Sequence, residues 1–128
     1  MQFKLIRALQ INPLMRRLFQ IAAWLLVIEI SLVSLVPPSL RPVTGAPHNF
    51  EHLAIFLLTG IAFAIGYPRR LFLQSIGLVI FAGLIEIAQL WVPGRHARLS
   101  DFIVDASAAC IGVAITGVTE RLVSARPT

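Results

Sequence analysis

The chain has 128 residues, of which 57% are hydrophobic and 13% charged, with a formal net charge of +5. Soluble domains carry roughly 25% charged residues, so the composition excludes an ordinary soluble domain and indicates an integral membrane protein. The basic residues flank apolar segments and are not interleaved with exposed aromatic residues, so no nucleic-acid partner is expected. The single cysteine, Cys110, lies in an apolar run and cannot form an intramolecular disulfide.

The N-terminal segment, residues 1–17, is basic and has apolar residues spaced for one face of an amphipathic helix lying on the membrane, although Pro13 would interrupt that helix. The apolar run that follows is longer than the h-region of a signal peptide, which has roughly 7 to 15 residues. We therefore expect a retained membrane helix here and not a cleaved signal.

Four apolar segments are long enough to cross a membrane, which takes roughly 17 to 25 residues. Proline residues close the first three segments. The predicted spans are residues 18–36, 50–67, 71–92 and 102–118. The sequence thus predicts an all-α membrane domain over residues 18–128, a four-helix bundle with short loops.

The distribution of Lys and Arg predicts the orientation of this bundle. Of the eleven basic residues, Arg41, Arg95 and Arg98 lie on one side of the predicted spans and the other eight lie on the opposite side. Because cytoplasmic loops carry the excess of Lys and Arg, both termini are predicted to be cytoplasmic.

This orientation brings polar residues that are distant in sequence to the outer leaflet. Glu86 and Gln89 share a helix face, as do Asp101 and Asp105. Because a buried acid needs a partner, we expect a polar cluster at the outer end of the bundle. We see no metal-binding motif and expect neither a metal nor another cofactor. The candidate site residues are His52, Glu86 and Asp101 for catalysis, and Gln89 and Arg95 for binding a headgroup.

Glu86 has two interpretations: a general acid/base or headgroup ligand, and a structural ion pair with Arg95 or Arg98. Gln89 is more typical of a hydrogen bond between helices. Arg95 follows a Pro-Gly turn that fixes its direction, which favours recognition of a phosphate or carboxylate over a surface arginine that reaches toward water.

Asp101 is either the N-cap of the fourth helix together with Ser100, or a partner of Arg95 or of His52. Asp105 lies one turn deeper, so it is expected to be protonated, paired or in a wet cavity. Glu29 stands inside the first span, and we expect it to face the bundle in its protonated form, with a proton relay as the alternative.

Two small-residue spacings, Ala62-x-x-x-Gly66 and Ala108-x-x-x-Gly112, allow close approach of helices. They predict tight packing within the bundle and leave homo-oligomerisation open.

The polar residues resemble the motif of the VanZ-like family of small membrane proteins, which is known for low-level glycopeptide (teicoplanin) resistance. The residues that carry the resemblance are His52, Glu86-x-x-Gln89, Val92-Pro93-Gly94-Arg95 and Asp101, and it extends over about residues 47–117. Asp105 stands where the family often has Asn, and Ala108 where it often has Gly. The resemblance implies a role in the cell envelope and a place in a bacterial inner membrane.

Three hypotheses follow, and whether the chain is an enzyme stays open. The first is a VanZ-like protein that binds or modifies an anionic or lipid-linked headgroup, with a membrane lipid or lipid-linked precursor as its partner. The second is a membrane hydrolase or transferase that uses Glu86 and His52 as an acid/base pair. The third is a scaffold in which the polar cluster only holds the helices together.

Overall fold

The structure, a computed structural model, describes residues 11–41 and 45–125, with the side chain of His48 excepted. Within these ranges the chain forms α-helices and no strand. The elements are α1 (Pro13–Leu35), a short 3₁₀ helix (Pro38–Leu40), α2 (His48–Gly66), α3 (Leu71–Gln89) and α4 (Leu99–Ser124). Each of the four α-helices is long and apolar enough to cross a membrane. The predicted all-α four-helix membrane bundle is confirmed.

The helix ends follow local chain chemistry more closely than hydropathy. Pro13 stands in the first turn of α1, where its missing N–H costs nothing, and the side chain of Asn12 accepts a hydrogen bond from the Leu14 N–H at 3.1 Å. As a result α1 starts before the predicted span at residue 18. The predicted surface helix at the N-terminus lies mostly outside the described residues, since residues 1–10 are not among them.

Hydrogen bonds between the helix ends show that the helices run up and down in turn. The Gln20 amide donates to the Gly66 carbonyl at 2.9 Å, which joins the start of α1 to the end of α2. The Gln89 amide donates to the Ser34 carbonyl at 3.4 Å, which joins the end of α3 to the end of α1. We call the end where α2 and α4 begin the polar end, and the opposite end, where α1 and α3 begin, the basic end.

Small residues let α2 and α4 pack closely. A Cβ placed on Gly60 would overlap the carbonyl of Ala109, and one on Gly112 would overlap the backbone of α2 at Leu57 and Ile61. The predicted close approach at Gly112 is confirmed. Much of the buried core is alanine, while large Leu, Ile and Phe side chains lie exposed on the outside. Small residues inside and large apolar residues outside are the reverse of the arrangement in a soluble protein. This distribution suits a bundle that faces lipid, where small residues bring helix backbones together.

We predict that Gly60→Ala destabilises the bundle, because the added methyl group would force α2 away from the Ala109 carbonyl. Overpacking of this kind costs roughly 1–3 kcal/mol. The measurement is the midpoint of unfolding in detergent. Gly77→Ala is the matched control, because a Cβ at Gly77 meets nothing within 4 Å. It should be neutral or slightly stabilising, and equal losses in both variants would contradict the packing described here.

Candidate functional site

A buried pair of side chains, His52 on α2 and Asp105 on α4, lies at the centre of the polar end. The Nδ1 atom of His52 is 3.1 Å from each carboxylate oxygen of Asp105. Asp105 is fully buried and His52 is 8% exposed. An ionised carboxylate only accepts hydrogen bonds, so with Asp105 ionised the donor in this contact is His52 Nδ1. This contact orients the imidazole ring and holds α2 against α4.

Packing also fixes the plane of the His52 ring. The ring stacks on Phe56, one turn further along α2, with centroids 6.5 Å apart and planes 19° apart. Phe56 is itself fully buried in the core. The imidazole is therefore held from one side by an aromatic ring and at Nδ1 by a carboxylate.

Glu86 is buried on α3 and contacts the start of α4. Its Oε2 accepts a hydrogen bond from the backbone N–H of Arg98 at 3.0 Å. Its Oε1 is buried and makes no hydrogen bond with the described residues. His52, Asp101 and Asp105 all lie within electrostatic reach of Glu86. Glu86 thus ties α3 to α4 through the backbone of Arg98, and one of its oxygens stays available in the cluster.

Arg95 connects the α3–α4 loop to the end of α1. Its Nη2 donates to the carbonyls of Val33 at 2.7 Å and Val36 at 3.2 Å, and its Nε donates to Val36 at 3.3 Å. The last carbonyls of a helix have no partner within the helix, so this guanidinium caps α1. Gln89 supports the same junction through the Ser34 carbonyl. Both predicted headgroup ligands therefore also have a structural contact.

The turn before Arg95 explains its direction. Gly94 has a φ of 79°, and the Arg95 N–H donates to the Val92 carbonyl at 3.1 Å. Proline followed by a residue with positive φ is typical of a type II turn, in which glycine fits best. Burial lowers the pKa of the Arg95 guanidinium below its ordinary value, and the nearby Arg41 adds to this while Glu86 opposes it. An arginine remains protonated even so.

Asp101 lies in the first turn of α4 and is half-buried. The N-cap of α4 is Arg98, so the interpretation of Ser100 and Asp101 as the N-cap is wrong. An acid in the first turn still interacts favourably with the helix dipole. The carboxylate on His52 Nδ1 belongs to Asp105, one turn deeper than Asp101. A catalytic role of Asp101 stays a prediction.

A cavity of about 280 Å³ opens between α1 and α2 beside His52. Arg41 and Glu51 form an ion pair of 2.6 Å at the polar side of this cavity. Glu29 also lines the cavity and is exposed on α1, so it does not face the packed interior as expected from the sequence. The other lining residues are Ile30, Val33, Ser34, His52, Ile55 and Phe56.

Sequence reasoning missed the roles of Asp105, Arg41 and Glu51. The sequence does contain a signal for the role of Asp105, because a carboxylate one turn inside an apolar helix must find a partner. His52 is a titratable residue at the start of another span on the same side of the membrane, and so it is a suitable partner. No comparable signal marked Arg41, whose contact depends on the path of the α1–α2 connection. Within the described ranges, no group of three or more His, Cys, Asp or Glu residues is placed to hold a metal ion.

Comparison with protein families agrees with this architecture. The VanZ/LLP1 family model matches residues 3–120, nearly the whole chain. The chain belongs to the VanZ/LLP1 family. Neither a curated protein nor a solved structure matches it. Membership of the family and four apolar helices make it a multi-pass integral membrane protein.

We predict that His52 and Asp105 are energetically coupled. Asp105→Ala or His52→Ala alone should each destabilise the protein by about 3–5 kcal/mol, because each leaves the other buried polar group without its partner. The double variant should lose less than the sum of the two single losses. Unfolding in detergent measures all three. Asp101→Asn is the control for a half-buried acid of the same helix, and additive losses for His52 and Asp105 would contradict the pairing.

Proposed function

We propose that this VanZ/LLP1-family protein binds an anionic or lipid-linked headgroup at the polar end of its bundle, in the outer leaflet of a bacterial inner membrane. The observation that supports this most strongly is the cavity between α1 and α2, which has charged groups and His52 on its lining together with apolar side chains. A lining of this kind suits an amphiphile with a polar head. Most ligand pockets have volumes of roughly 300–1,000 Å³, so a cavity of about 280 Å³ suits a small headgroup.

Two arginines supply the positive charge for this proposal. Arg41 lines the cavity, and Arg95 lies within electrostatic reach of Arg41. Arg41 is paired with Glu51, and its positive charge contributes to the attraction for an anion at the cavity. The Nε and Nη2 of Arg95 are engaged by the carbonyls of α1, which leaves its Nη1 and its charge for the ligand. An anion between the two arginines would relieve their mutual repulsion.

The His52–Asp105 pair favours a second function at the same place, hydrolysis or group transfer. An imidazole that is held at one nitrogen by a carboxylate is the usual arrangement of a general base. Glu86 lies within electrostatic reach and would be the second acid/base group. The nucleophile would come from water or from the ligand.

A scaffold function is favoured by a different set of contacts. Arg95, Gln89 and Glu86 each bond to the backbone of a neighbouring segment. Those bonds hold helices together whether or not a ligand binds. The scaffold hypothesis does not account for the cavity and its charged lining, and so we place it third.

We predict that cells without the protein accumulate a lipid or envelope precursor that wild-type protein returns to its normal level. His52→Ala and Glu86→Gln should fail to restore it at equal membrane levels, because each removes a proton-transferring group from the cluster. Mass spectrometry of total lipids and precursors is the measurement. Glu120→Gln is the matched control, because Glu120 stands on α4 near the basic end, far from the cluster.

Two results would contradict the proposal. Profiles that do not change on loss of the protein would favour the scaffold, and restoration by both site variants would exclude chemistry at this cluster. Teicoplanin susceptibility of the same strains is a second readout. The glycopeptide resistance known for VanZ-like proteins leads us to expect greater susceptibility in the strains carrying His52→Ala or Glu86→Gln.

A further inference from the structure

A second groove lies between α3 and α4 at the basic end, away from the polar cluster. It has a volume of about 240 Å³. Arg121 lines it at one extreme and Cys110 at the other, and Ser75 is a polar residue in its wall. The remaining lining residues are Leu71, Phe72, Val113, Ala114, Gly117 and Val118. The groove is thus a mainly apolar channel with a cation at its membrane-surface end.

The length of the groove matches one leaflet of a bilayer. Cys110 and Arg121 are eleven residues apart on α4, which corresponds to about 16 Å along the helix. The hydrocarbon core of a membrane is about 30 Å thick, so this is about half of it. Arg121 lies in the last turn of α4, and Cys110 lies near the middle of this helix.

The charges at this end are complementary to an anion. Arg69 and Arg70 are exposed in the connection between α2 and α3, directly before the helix that forms one wall. Of the six acids in the chain, only Glu120 belongs to this end. A second copy packed on this groove about a two-fold axis would bring the two Arg121 side chains close together, and their like charges would repel.

We propose that this groove binds an anionic phospholipid of the leaflet at the basic end, with the phosphate at Arg121 and one acyl chain along α4. Arg69 and Arg70 add attraction for the negative headgroup. This site is independent of the headgroup function proposed for the polar end, and either can fail without the other.

Native mass spectrometry of the purified full-length protein tests this, with phosphatidylglycerol and phosphatidylcholine offered in equal amounts. Phosphatidylglycerol should bind preferentially. Arg121→Gln should weaken its binding about fivefold, which is what loss of one basic residue near a membrane surface implies. Arg98→Gln is the charge-matched control, because Arg98 is exposed at the polar end.

A steric pair of variants tests the position of the acyl chain. Ala114→Trp should fill the groove and reduce bound phosphatidylglycerol while Arg121 is kept. Ile111→Trp is the control, since Ile111 is exposed on the same helix and does not line the groove. Equal binding of the two lipids would overturn the proposal. So would equal phosphatidylglycerol binding by Arg121→Gln and Arg98→Gln, or by Ala114→Trp and Ile111→Trp. Circular dichroism checks folding, and if one substituted protein does not fold, the other pair of variants still decides.

Discussion

The structure depends on one interaction above all, the hydrogen bond from His52 to the buried carboxylate of Asp105. A fully buried carboxylate is costly unless it is paired, and removing its partner typically costs roughly 3–5 kcal/mol. The pair joins α2 to α4 near the polar end. Further along the same two helices, Gly60 meets Ala109 and Gly112 meets Leu57. The polar contact and the small-residue contacts require the same register, and each therefore supports the other.

Other polar contacts complete the bundle in a setting where lipid gives helices no hydrophobic reason to associate. Arg95 caps the end of α1, and Glu86 holds the backbone at the start of α4. At the basic end the Trp24 indole donates to the Tyr67 hydroxyl at 3.2 Å, close to the bond between Gln20 and Gly66. The bonds at the polar end also shape the cavity beside His52, so the structure and the proposed site share the same residues.

Much of this arrangement could be predicted from the sequence. Four apolar runs, the first three closed by proline, predicted the four helices, and the alternation of these helices placed His52, Glu86 and Asp101 at one end. Pro93 and Gly94 indicated the turn that directs Arg95. These features depend on the residue types at a turn or helix end, or on the number of spans, and the amino-acid sequence contains both.

The rest could not be predicted, because it depends on how helices rotate about their axes. Asp105 and Asp101 are one helical turn apart, and only Asp105 contacts His52. Hydropathy does not define helix ends to within one turn, so it does not show which of the two acids lies level with His52. Glu29 lies at the cavity because α1 presents that face to α2. The capping of α1 by Arg95 depends on carbonyl groups, and a backbone carbonyl is present at every residue, so the sequence does not mark the ones that bind.

The most direct test of the central claim, that the His52–Asp105 pair belongs to a headgroup site, is nitrogen NMR of the His52 ring. The protein would be labelled at its histidines in detergent micelles, and His52 assigned by substitution. We predict a proton on Nδ1, and a shift of the Nε2 signal when short-chain phosphatidic acid is added but not when phosphatidylcholine is added. A proton on Nε2, or the same response to both lipids, would contradict the account.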